Sequence, residues 1–116
     1  MGSKAKEAAD FHRSGYSCSQ AVYCAFCDET GLTEAQARSV AAPYAGGAKI
    51  KCGAVLAAEL VLDEKEELVR QFEERFTAKN QSVNCRELRR GLRSCRGCVE
   101  DSAQILEEML SERKAV

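Results

Sequence analysis

The sequence predicts an all-α fold, a compact bundle of about five to seven helices around a central apolar helix at residues 52–62. Three observations lead there. Apolar residues recur at helical spacing, and no segment shows the period-two alternation of a strand. The chain contains one proline, so little interrupts a helical ladder. Capping residues and glycines fall between the periodic segments, where helix ends need them. At 116 residues the chain can bury one substantial core but not two, which makes residues 1–116 a single domain.

The first helix is "KAKEAADFHRSG", ended by Gly15. A second, "SCSQAVYCAFCDETG", takes Ser17 as N-cap and has Gly31 beyond its end, and "TEAQARSVAAPY" runs from the N-cap Thr33 until Pro43 stops it. After the glycine loop, "CGAVLAAELVL" carries Glu59 as its one charge and therefore reads as the buried central helix. It leads into "DEKEELVRQFEERFTAKN", where Leu68, Phe72 and Phe76 share a face; Asp63 either caps a fresh helix or sits in a bent continuation. A short "NCRELRRG" and a long "SCRGCVEDSAQILEEMLSERK" complete the chain.

A formal net charge of -1 and the lack of a long apolar run argue against nucleic-acid coating and membrane insertion. The N-terminus has no apolar signal segment, and Lys6 stands where myristoylation needs Ser or Thr, so a cytoplasmic location is expected. Thiols stay reduced there unless they do redox or metal chemistry. Seven cysteines is a high count for such a protein, and an odd number excludes a framework made only of disulfides.

Four of these cysteines, Cys18, Cys52, Cys85 and Cys95, open four different expected helices. A helix N-terminus presents unpaired N–H groups and partial positive charge, which favour thiolate over thiol. Lys49 and Lys51 flank Cys52, and Arg86, Arg89, Arg90, Arg93 and Arg96 surround Cys85 and Cys95, so basic neighbours are expected to push the same way. Convergence of the four starts would make a redox-active thiol cluster or a four-cysteine metal site. The competing reading is that cysteines fill small gaps in a helical core.

Cys24 and Cys27 lie off the Cys18 face of their helix, and their C-x-x-C lacks the strand-to-helix setting of a thioredoxin motif; both read as core. Cys98 is either a thiol that resolves a bond formed at Cys95 or a member of the apolar stripe with Val99, Leu106 and Met109, which favours core. Asp28 and Val99, not histidine, follow the two C-x-x-C pairs, so c-type haem has no attachment site. His12 reads as structural or exposed, and the arginine run, without interleaved aromatics, as a solvated face. Glu59 lies near the angular position of Cys52 and reads as a proton acceptor, an ion-pair partner or an interface group.

"GYSCSQAV" at residues 15–22, "GGAKIKCGAVLA" at 46–57, "CREL" at 85–88 and "CRGCVEDSA" at 95–103 resemble the motifs of the C_GCAxxG_C_C family of small proteins described as redox-active. The resemblance covers most of the chain and places the family's four cysteines on Cys18, Cys52, Cys85 and Cys95. It leaves Cys24, Cys27 and Cys98 as extras, and Ala57 stands where the motif has glycine. A related domain of split-Soret cytochromes c implies an iron-containing centre held by cysteines.

Three functions are therefore expected in competition. The four cysteines hold an iron–sulfur cluster, 2Fe–2S by preference, for electron transfer or redox sensing, with Gly46, Gly47 and Gly53 giving it close backbone approach. Alternatively Cys18, Cys52, Cys85 and Cys95 act as metal-free redox thiols, with Cys52 or Cys95 as nucleophile. The third reading is a structural zinc site or an interaction module. A redox partner protein is implied by the first two, and the very apolar central helix hints at a homodimer.

Overall fold

The computed structural model describes residues 3–47 and 50–114. Its eight α-helical segments are α1 (Lys4–Arg13), α2 (Cys18–Ala25), α3 (Cys27–Thr30), α4 (Glu34–Ala41), α5 (Gly53–Val61), α6 (Glu66–Asn80), α7 (Cys85–Glu87) and α8 (Cys95–Lys114). A 3-10 turn, Ala42–Gly47, follows α4, and a π-helical turn, Leu88–Leu92, follows α7. The fold is all-α, as expected.

Local chemistry sets most of the boundaries. Ser17 and Gln20 form a reciprocal capping box at the start of α2, and Thr33 and Gln36 form another at α4. Gly31 ends α3 at φ 77°, a left-handed conformation that glycine adopts without penalty.

The helical segments outnumber the expectation because one expected helix, the second, is broken. It splits at Phe26, whose backbone (φ -111°, ψ 27°) leaves the helical region. The Ala25 carbonyl accepts instead from Lys4 Nζ at 2.9 Å, and the same ammonium lies 2.9 Å from Asp28. Asp63 and Glu64 both have positive φ, so α5 stops and α6 begins afresh at Glu66; Asp63 therefore does not cap it.

Helix α5 is packed between α2 and α8, while α1 lies across α2 and α8. Ala54, Val55, Ala57 and Ala58 are fully buried, and these small side chains let the neighbouring helices approach. Ala57, where the family motif has glycine, fits this packing. Phe72 and Phe76 on α6 are wholly buried, each contributing about 1.5–3 kcal/mol of hydrophobic stabilisation. Leu68 is partly buried against the same core. Two buried hydroxyls tie helices together: Ser102 Oγ donates to the Ala54 carbonyl at 2.7 Å, and Ser19 Oγ to the Ala41 carbonyl at 2.8 Å. Arg93 Nε (3.2 Å) and Lys79 Nζ (3.6 Å) converge on the buried Asp101, joining α6 to the start of α8. Among the described residues, no helix is long and apolar enough to cross a membrane.

Candidate functional site

The strand-like entry into α5 fixes two of the helix-start cysteines. Lys51 pairs with Asn84 in an isolated antiparallel bridge. On either side of it the Cys52 N–H donates to the Val83 carbonyl (2.7 Å) and the Cys85 N–H to the Ile50 carbonyl (3.0 Å). Side chains alternate across such a bridge, so Cys52 and Cys85 leave on one face and Lys51 on the other. Lys51 Nζ accordingly reaches Glu59 at 3.2 Å and Glu73 at 2.5 Å. The expectation that Lys51 depresses the Cys52 pKa is thus corrected: this cation is engaged on the opposite side. Lys49 lies outside the described residues.

The remaining thiols come from three other places. Cys18 opens α2, and its Sγ lies 2.6 Å from where a Cβ on Gly53 would stand, with the Tyr44 carbonyl oxygen at 2.8 Å from the same point. Gly53 therefore allows α5 to begin against the Cys18 thiol. Gly46 and Gly47 lie in the 3-10 turn beyond Tyr44. Cys95 opens α8 after Ser94, whose Oγ accepts from the Gly97 N–H at 3.0 Å. One turn on lies the buried Cys98, which acts on the ionisation of Cys52: a proton on Cys98 favours the Cys52 thiolate.

Arg89 joins these groups. Its guanidinium hydrogen-bonds Cys95 and acts electrostatically on Cys85, Cys18 and Cys52. The charge of this one exposed cation thus acts on all four helix-start cysteines.

Their electrostatics differ sharply. Cys52 is held down to about 7, first by the hydrogen bond from Cys98, then by the N–H groups of Ala54 and Val55 and by Arg89, against the opposing effect of burial. As N-cap of α5, its sulfur faces the amides that an oxygen cap would bind, but without the short cap bond of an oxygen. Cys98, donor in that hydrogen bond and buried, is driven upward and keeps its proton. Burial also raises Cys85, with Arg89 opposing it.

Away from this cluster, Cys24 is buried and pushed up to about 11, chiefly by desolvation. Cys27 is half-buried, packs against the core and is raised by burial. Both placements agree with the core reading. Glu59 proves to be an ion-pair partner: burial and a hydrogen bond shared with Glu73 raise it to about 7, and Lys51 opposes the rise.

Among the described residues, no three His, Cys, Asp or Glu side chains are grouped to hold a metal ion. The four cysteines therefore do not form a ready-made ligand set. Sequence reasoning missed the individual importance of Arg89; for Cys98 it weighed a resolving thiol and favoured the core, where the residue lies. The signals were modest: Arg89 lies one helical turn after Cys85, and Cys98 one turn after Cys95.

No curated protein and no solved structure matches this chain. A family model does match, over residues 16–109, a span that includes all five of these cysteines and Arg89. The chain belongs to the family described as "Putative redox-active protein (C_GCAxxG_C_C)".

Proposed function

We propose that the protein is a thiol–disulfide redox protein in which Cys52 is the exchanging thiol and Cys98 its partner. The observation that carries this reading is the placement of two buried thiols on packed helices, Cys52 at the start of α5 and Cys98 in α8, each acting on the other's ionisation. A thiolate is the attacking species in exchange, and the surroundings of Cys52 favour it near neutral pH. Cys52 attacks a substrate disulfide RS–SR, forming the mixed disulfide Cys52–S–SR and releasing RS⁻. Cys98 then gives up its proton, attacks the Cys52 sulfur and expels the second RS⁻. The substrate gains two electrons and becomes two thiols; Cys52 and Cys98 lose two and become a disulfide. A reducing compartment would return the pair to dithiol form and complete the cycle.

A metal centre, 2Fe–2S or zinc, on Cys18, Cys52, Cys85 and Cys95 is the second reading, supported by the placement of all four thiols at helix starts within the field of Arg89. It requires the sulfurs to draw together. One preparation tests both readings. Protein purified without oxygen is analysed for metal and acid-labile sulfide, then oxidised with one equivalent of a small disulfide and mapped by peptide mass spectrometry. Loss of two thiols with a Cys52–Cys98 cross-link is expected. About two irons and two sulfides per chain would replace the exchange reading with the cluster, and stoichiometric zinc without sulfide would replace it with a structural site.

A further inference from the structure

All five arginines of the run at residues 86–96 are exposed, as the solvated-face reading expects, but they divide into two sets. Arg93 pairs with Asp101, and Arg96 lies 3.9 Å from Glu100. Arg86, Arg89 and Arg90 turn instead toward a groove of about 710 Å³ whose wall includes Cys85 and Ile50. Among the described residues, neither Arg86 nor Arg90 has a carboxylate partner. The groove's acidic residue, Glu87, accepts a hydrogen bond from Ser82. Ile50 supplies an apolar wall: it is 72% exposed and has φ 75°, an uncommon conformation for a β-branched residue. The volume falls in the range of small-molecule sites, and guanidinium forks match carboxylates in geometry. Cys85 and Arg89 both line the groove, and Arg89 acts on Cys95, so the groove borders the thiols.

We propose that this groove receives a small disulfide bearing carboxylates, its acid groups on Arg86 and Arg90 and its S–S bond directed past Cys85 toward Cys52. The inference rests on the exchange reading above and names its substrate class. A carboxylate that engages Arg89 draws the guanidinium from Cys95 and opens the way to the sulfurs. The chemistry is the balanced exchange already given: RS–SR and the two thiols of Cys52 and Cys98 become two RSH and one protein disulfide.

The test is anaerobic oxidation of the reduced full chain by oxidised glutathione (acidic), 2-hydroxyethyl disulfide (neutral) and cystamine (cationic), followed by stopped-flow thiol loss. Each rate is normalised to that disulfide's rate with dithiothreitol. The acidic probe is expected to exceed the cationic one by about tenfold at low ionic strength, with the ratio shrinking as salt rises. Arg86→Glu/Arg90→Glu should erase or invert the ratio, and Arg86→Gln/Arg90→Gln, which perturbs the fold less, should narrow it. A control of equal charge change at the start of α6, Lys65→Glu/Arg70→Glu, should leave it in place. Equal normalised rates, or a control that alters the ratio as much as the groove variants, would overturn the groove assignment while leaving exchange intact. No oxidation by any probe would overturn the exchange reading itself.

Discussion

Cys24 and Cys52 are equally buried, each 4% exposed, yet their thiols are driven in opposite directions. Cys24 sits within α2, where desolvation dominates and the nearby Cys27 and Glu34 add to the upward push, only partly offset by Arg38. Cys52 caps α5, where a thiol donor, two backbone N–H groups and Arg89 outweigh the same burial. Burial alone therefore does not make a cysteine inert; what faces the sulfur decides. Nor is sequence spacing what lowers Cys52: Cys98, the group with the largest such effect, is distant in sequence and lies on α8, which packs on α5.

The largest effect should come from deleting the activated member of this comparison. Cys52→Ala is expected to slow the fastest thiol alkylation at pH 7 by roughly 100-fold while helicity by circular dichroism stays unchanged. Cys24→Ala should leave that rate alone. Unaltered fast alkylation in Cys52→Ala would assign the reactive thiol elsewhere.

Next comes the partner. Cys98→Ala removes the largest influence lowering Cys52, so the midpoint of its alkylation should move from about 7 toward the ordinary thiol value of 9.0. The rate at pH 7 should fall by roughly fivefold, because the loss of thiolate is partly offset by greater intrinsic nucleophilicity. A fixed midpoint would dissolve the pair.

Gly53→Ala probes how the cluster is held. Its new Cβ would stand 2.6 Å from Cys18 Sγ and 2.8 Å from the Tyr44 oxygen, neither of which a folded chain accommodates unmoved. Chemical denaturation should show a loss of about 1–3 kcal/mol, and wild-type stability would contradict the tight contact.

The smallest expected effects separate two cations. Arg89→Gln should raise the Cys52 midpoint modestly, and less so at high salt. Lys51→Gln, although adjacent in sequence, should leave it unchanged and lower Tm, because Glu59 and Glu73 lose the ammonium between them.

Much of this fold was legible in the sequence. Ser17 and Thr33 announced their helix starts through local capping chemistry, and Phe72 and Phe76 announced their face through spacing. The break at Phe26 was not legible, because it coincides with a contact from Lys4, a residue distant in sequence. Helix-start placement identified the four cysteines on which Arg89 acts but not the role of Lys51. Sequence adjacency suggested proximity, and the alternation across the Lys51–Asn84 bridge reversed it. Cys98 was ambiguous for a related reason: it occupies the apolar stripe of α8 and, from that stripe, acts on the ionisation of Cys52 at the start of α5.

The most direct test is site-resolved alkylation of the native reduced protein across pH, with Cys52 and Cys24 quantified in the same digest by mass spectrometry. Thiolate increases as pH rises through the folded-state value, so Cys52 should reach half its maximal rate near 7 while Cys24 remains slow until about 11. At pH 7 the thiolate populations differ by roughly 10³–10⁴, and the weaker nucleophilicity of the low-pKa thiolate reduces the rate ratio to roughly 10². That ratio would establish electrostatic activation at equal burial. Comparable rates and coincident midpoints for the two cysteines would contradict it.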